Sequence, residues 1–246
     1  GSASLVVYAR GRSTSSANLG VTITATDTSG GHTVGTQSLT TYPLVRRGNC
    51  SLAQNDTTRS CTVSIPGGDI SRSFVVFSST GNPNDSSDIK PTNQNVECHL
   101  VSNIGTAYVV CTRGNSTGSM SVEYQVVSWG RSFSNGGISV QHVSGALASM
   151  ATTVDLTLSQ PVATSNAFVL FSSKSLDGAI NDASHFATAA LIDASTVRVT
   201  RNQTAAALWV SAQVVEFSNA RVDRSTTSGS GSSVSVASLP SRPTER

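Results

Sequence analysis

The chain has 246 residues, which suits one large or two ordinary domains, and a net charge of +2, too small to argue for nucleic acid as a partner. Charged residues are only 12% of it, about half the usual share, while Ser, Thr, Asn and Gly abound, a balance common in extracellular and assembled proteins. No run of about 18 apolar residues exists, so no membrane helix is expected, and "GSASLVVYAR" lacks the basic start and apolar centre of a signal peptide.

Taken in order, the elements alternate with period two. "LGVTITAT" (19–26), "CTVSI" (61–65), "AYVVCT" (107–112), "SVEYQVVSW" (121–129), "TVDLTL" (153–158), "TVRVTR" (196–201) and "LWVSAQVVEF" (208–217) read as strands. Gly, Asn, Ser and Pro clusters separate them roughly every 8–12 residues, the spacing of a β-sandwich. The best helical candidate, "SGALASMATTV" (144–154), falls in a strand–turn region once the repeats are compared, so almost no helix is expected.

The chain repeats itself. "SRSFVVFSST" (71–80) returns as "SNAFVLFSSK" (165–174), "VRRGNCSL" (45–52) as "VQHVSGAL" (140–147), and "CTVSI" as "VDLTL". "VVCTRGN" (109–115) returns as "VRVTRNQ" (197–203), and "VEYQVVSW" (122–129) as "VSAQVVEF" (210–217). The spacing predicts an all-β fold of tandem antiparallel β-sandwich repeats, Ig-like or jelly-roll-like, of about 90 residues each. Unit one spans 44–132 and unit two 139–222.

The ends match fragments of a unit. "SLVVYARGRST" (4–14) resembles "AYVVCTRGNST" (107–117), and Leu19, Val21 and Ile23 then fall on Val122, Tyr124 and Val126. Residues 1–43 thus read as the last strands of a unit plus a linker. Residues 223–246 read as the first strand of a further unit or a donor tail, because 220–240 resembles 138–161. Leu5, Val7, Leu19, Val21, Ile23, Val234 and Val236 are the expected assembly strands. Incomplete sandwiches expose unpaired edges, so the ends meet within one molecule, complete a neighbour by strand addition, or belong to a longer array. The competing explanation is chance resemblance among low-complexity strands.

Cys50, Cys61, Cys98 and Cys111 all lie in unit one and allow three pairings. The local one, 50 to 61 and 98 to 111, is favoured. "VECHLVSNIGTAYVVCTR" reads as a hairpin turning at Ser102 to Thr106, which sets Cys98 opposite Cys111 and Leu100 opposite Val109. Ala189 and Val199 stand near the second pair's positions in unit two. Disulfides imply an extracytoplasmic location; a zinc site is the rival, weakened by the lack of Cys-x-x-Cys spacing.

Histidines 32, 99, 142 and 185 share no repeat position, and no nucleophile elbow, metalloprotease helix or phosphate loop is present. No catalysis is expected. The loops after the Phe motifs carry Asn84, Asp85 and Asp88, and Asp177, Asn181 and Asp182. Such oxygens suit calcium or a ligand, or simply shape turns. Asn49, Asn55, Asn84, Asn115 and Asn202 begin Asn-x-Ser/Thr sequons, candidate glycosylation sites. Phe74, Phe77, Phe168 and Phe171 are core candidates, and their spacing turns one ring of each pair to the core and the other to a neighbouring unit. Trp129 and Phe217 look like core end-stops. Trp209, Tyr8, Tyr42, Tyr108 and Tyr124 are the residues available to stack on sugars.

These features point to a non-enzymatic structural subunit of an extracellular filament, surface appendage or virion fibre or coat that polymerises head to tail. The alternative is a carbohydrate-binding adhesin. The strand order and the final "QVVSW" and "QVVEF" strands resemble small β-sandwich lectins of the H type, over part of each unit; the resemblance carries no specific binding motif and assigns no binding residue.

Overall fold

A computed structural model describes residues 20–26, 33–40, 44–65, 68–81, 95–114, 118–129, 137–176, 186–218 and 222, with the backbone alone for 20–26, 33–40 and 81. The described chain is all β, and every ladder is antiparallel. β1 (Gly20–Thr26) pairs with β2 (Thr33–Thr40) as a two-stranded sheet of its own.

Six strands follow: β3 (Leu44–Leu52), β4 (Thr58–Val63), β5 (Ser73–Gly81), β6 (Val96–Asn103), β7 (Thr106–Arg113) and β8 (Met120–Ser128). They form two sheets, ordered β3–β8–β5 and β4–β7–β6. Six more, β9 (Ile138–Leu147), β10 (Thr153–Thr157), β11 (Ala167–Ser175), β12 (Thr188–Leu191), β13 (Thr196–Thr200) and β14 (Leu208–Phe217), form β9–β14–β11 and β10–β13–β12. Element for element, the connectivity is the same. The expected helical candidate is instead the end of β9, a turn and the start of β10.

Alternation explains the strands. In β8, Met120, Val122, Tyr124 and Val126 turn inward, and the residues between them face out. They join Cys50, Leu52, Val75, Leu100 and Val109 from both sheets in one core. Leu147, Leu156, Val197, Val199, Leu208, Val210 and Val214 form the equivalent core in unit two. Truncating one of the fully buried leucines to Ala costs about 2–5 kcal/mol.

The ladders correct one repeat match. Cys61 pairs with Val109, and the residue that pairs with Val197 is Leu156, not Val154. The match of "CTVSI" to "VDLTL" is therefore two residues out of register. A two-residue slip keeps every side chain on its face, so alternation cannot reveal it.

Cys50 joins Cys61 and Cys98 joins Cys111, the local connectivity. The first bond links the two sheets; the second ties a directly opposed pair, with Cα atoms 4.2 Å apart. In unit two Ala189 lies opposite Val199 where the second bond would be. Gly145 replaces Cys50, and a Cβ there would press on Leu156 at 2.8 Å, so hydrophobic contact fills the place of the first bond.

The turns carry a second shared device. Arg113 is 2% exposed, and its guanidinium donates to the carbonyls of Ala53, Asp56 and Gly118. Arg201, 3% exposed, donates to Ala148, Ala151 and Ala206. Each arginine ties the turn after its unit's first strand to the loop before its last. Asn55 and Met150, at matching places in those turns, both have positive φ.

Candidate functional site

The candidate site is the contact between the two units. The outer face of β9–β14–β11 lies against the side of unit one where β5 and β6 are edge strands. Among the described strands β5 leaves one backbone edge unpaired there, and Gln213 of β14 closes it. The Val75 N–H donates to Gln213 Oε1 at 2.8 Å, and Gln213 Nε2 donates to the Val75 carbonyl at 2.9 Å. A side-chain amide thus takes the place of a strand at an edge that would otherwise template pairing. Gly114 of unit one abuts the Ser175 carbonyl so closely that no Cβ fits.

Aromatic rings seal one end. Phe74 meets Phe168 edge to face with centroids 6.1 Å apart, Trp129 meets Phe217 at 5.9 Å, and Phe168 stacks on Phe217 at 5.9 Å. They enclose Ile138, Val140 and Val215. Phe77 and Phe171 pack instead on their own cores. This corrects the placing of Trp129 and Phe217 as end-stops of separate cores: they lie between the units. Strand-end rings buried by a neighbour and by their own core leave the same mark in a sequence.

At the opposite flank Glu97, fully buried, accepts from Thr112 Oγ1 at 2.8 Å and lies 2.5 Å from His99 Nδ1. Burial opposes its ionisation, but the hydrogen bond and charge of His99, with the hydroxyls of Ser211 and Thr112, outweigh that and hold its carboxyl below the ordinary range. On β9, His142 donates through Nε2 to the Ile70 carbonyl at 3.1 Å, and its buried Nδ1 has no partner among the described residues. Burial pushes the His142 ring's pKa down, against the pull of the Ile70 and Ser73 carbonyls, and nearby His99 lowers it further. The interface thus buries a hydrogen-bonded carboxylate beside an imidazole that burial keeps neutral. The sequence assigns none of them to a contact between units, although the Glu in "VECHL" and the Gln that opens "QVVEF" interrupt otherwise apolar strands.

A cleft of about 380 Å³ opens beside the contact, lined by Val75, Val96, Leu170, Ser172, Phe186 and Gln213. Among the described residues, no three His, Cys, Asp or Glu side chains are grouped to hold a metal. The candidate calcium residues Asn84, Asp85, Asp88, Asp177, Asn181 and Asp182 lie outside the described residues, as do sequon residues Asn84 and Asn115 and assembly residues Leu5, Val7, Leu19, Val234 and Val236. Val21 and Ile23 sit on β1. Asn49 is exposed on β3, where its Nδ2 donates to Ser121 and Glu123. Asn55 and Asn202 are exposed in turns. Tyr124 is withdrawn from the sugar-stacking set: it is 7% exposed, inside the core of unit one. Tyr108 and Trp209 are half-buried, and Tyr8 and Tyr42 lie outside the described residues.

Among the described residues, no helix is long and apolar enough to cross a membrane. No family model, no curated protein and no solved structure matches the chain.

Proposed function

We propose that the chain is a non-enzymatic structural subunit of an extracellular assembly, a filament, surface appendage or virion fibre or coat, that joins copies head to tail by completing strand sets at its ends. The observation that carries this reading is the β1–β2 pair, which among the described residues is a two-stranded sheet separate from the two six-stranded units. Two strands alone are marginal in water and gain stability from further strands or a covering layer. A neighbouring copy supplies them by strand addition. Two disulfides and a low-charge, hydroxyl-rich composition support an oxidising, extracellular setting.

Electron microscopy of the purified protein with and without residues 1–28 tests the proposal. Filaments that vanish on truncation support it. Monodisperse particles in both samples overturn it and make glycan binding, the adhesin reading, the next question.

A further inference from the structure

The face that receives unit one on unit two has a counterpart on unit one. Gln213, Val215, Val140, Phe168, Leu170 and Phe217 stand at the repeat positions of Gln125, Val127, Val45, Phe74, Val76 and Trp129. The ladders place them identically: Gln213 is flanked by His142 and Leu170, and Gln125 by Arg47 and Val76. Their surroundings differ. Val140 is 4% exposed and Gln213 5%, beneath the edge of unit one. Val45 is 40% exposed and Val76 47%, and Gln125 is exposed as well. Beside Gln125 lies a hollow of about 290 Å³ lined by Arg47, Val76, Glu123 and Tyr124.

The edge that fits such a face is also repeated. β11 is an edge strand as β5 is, and Val169 holds the repeat position of Val75. Beside it, Thr188 and Ala190 of β12 are exposed, whereas Glu97 in the corresponding strand β6 is buried by unit two. One chain therefore shows the contact once and, among the described residues, carries each half a second time without a partner: an exposed face on unit one and an edge strand on unit two.

From this we infer that the outer face of β3–β8–β5 is a docking surface for the β11–β12 edge of a second copy of this chain, with Gln125 closing the Val169 backbone as Gln213 closes Val75. The occupant is a second copy because the matching edge is on the page, already seated on the equivalent face within the chain. A face-to-edge contact is not self-complementary, so each added copy presents a fresh face, and growth is linear or closes as a ring. The contact rests on the assembly reading above but uses different residues from the end strands.

The test is sedimentation of the full chain over a range of concentrations, for the wild type and for Gln125→Ala and Val76→Asp, with near-UV circular dichroism to check folding. Both substituted residues are exposed, so the fold is expected to survive. Association at the face weakens by about tenfold or more for each variant, because a bidentate amide or a desolvated apolar contact at an interface centre is worth at least that factor. A second variant, Glu123→Cys with Thr188→Cys, places thiols at the exposed repeat positions of the touching pair Ser211 and Glu97 and gives covalent multimers under oxidation, whereas either cysteine alone gives nothing longer than a dimer. Wild-type association that both single variants leave unchanged overturns this inference and leaves the end-strand proposal standing. A wild type that stays monomeric throughout overturns both.

Discussion

Gly48 lies directly opposite Tyr124, and the Tyr124 ring occupies the space a Cβ at residue 48 would need. In unit two the matched pair is Val143 opposite Ala212. The volume has moved from one strand to the other, and each core stays filled. Gly48→Val alone therefore overpacks unit one and costs about 1–3 kcal/mol. Tyr124→Ala leaves a cavity and costs about 3–5 kcal/mol. The double variant reproduces the unit-two pairing and loses less than the sum, with a coupling of about 1–3 kcal/mol. Urea unfolding of the four proteins measures it; strict additivity would refute the compensation.

The two buried arginines predict a second result. Arg201→Met strands the three carbonyls of Ala148, Ala151 and Ala206 and unties two turns, so stability falls by about 3 kcal/mol or more. Arg201→Lys recovers little, since one ammonium cannot reproduce a planar fork on separate carbonyls. Arg113 substitutions behave alike. Thermal unfolding checks this, and a Lys variant as stable as the wild type would contradict it.

Acid should loosen the contact between units in two stages. The His142 ring has its pKa depressed by burial, so the unfolded chain takes up the proton first as pH drops below the ordinary value of 6.5. Stability is level above that value and declines beneath it. Glu97, also depressed, adds a second decline below the ordinary value of 4.5, as its buried carboxylate is forced to protonate. Unfolding free energies from pH 8 to about pH 2 measure both stages. His142→Phe lowers stability overall yet removes the first decline; an unaltered slope would exclude His142 as its source.

The hairpin joining β6 to β7 offers a gain. Ile104 has φ of 44° and Gly105 of 75°, the two positive angles of a type I′ turn, and Ile104 is 98% exposed. A β-branched residue is strained there and buries nothing in return. Ile104→Asn creates the favoured Asn-Gly turn and raises stability by about 0.5–1 kcal/mol, seen as a higher unfolding temperature. Gly105→Ala does the opposite.

How far residues announced the structure depended on whether parity carried the information. The β6–β7 hairpin was legible because its turn sets one register, and Cys98 does face Cys111 as Leu100 faces Val109. Inward positions such as Val122, Tyr124 and Val126 were legible for the same reason. The true match of Cys61 with Leu156 was not, since two registers two residues apart have one pattern. β2 and β12 escaped notice because "TVGTQSLT" and "TAAL" are short of large apolar side chains. The site itself was half visible. The repeated Phe spacing implied a ring turned towards a neighbour, which Phe74 and Phe168 show. Nothing local told Gln213 from Gln125; only the partner's edge does.

Leu44 pairs with Ser128, and Ile138 with Phe217, so the chain enters and leaves each unit on adjacent strands at the same end. Tension applied between those points loads one ladder from its tip. Hydrogen bonds perpendicular to the strands then break in succession, as a zip opens, and do not share the load as in shear. Such a unit yields at low force. Unit two has nothing covalent to arrest the opening, whereas in unit one the zip runs from Leu44 to Cys50 and stops at the bond to Cys61. Pulled, the chain would lengthen further through its unbridged unit and keep a stapled remnant of the other, which makes the uneven distribution of its cysteines a mechanical gradient.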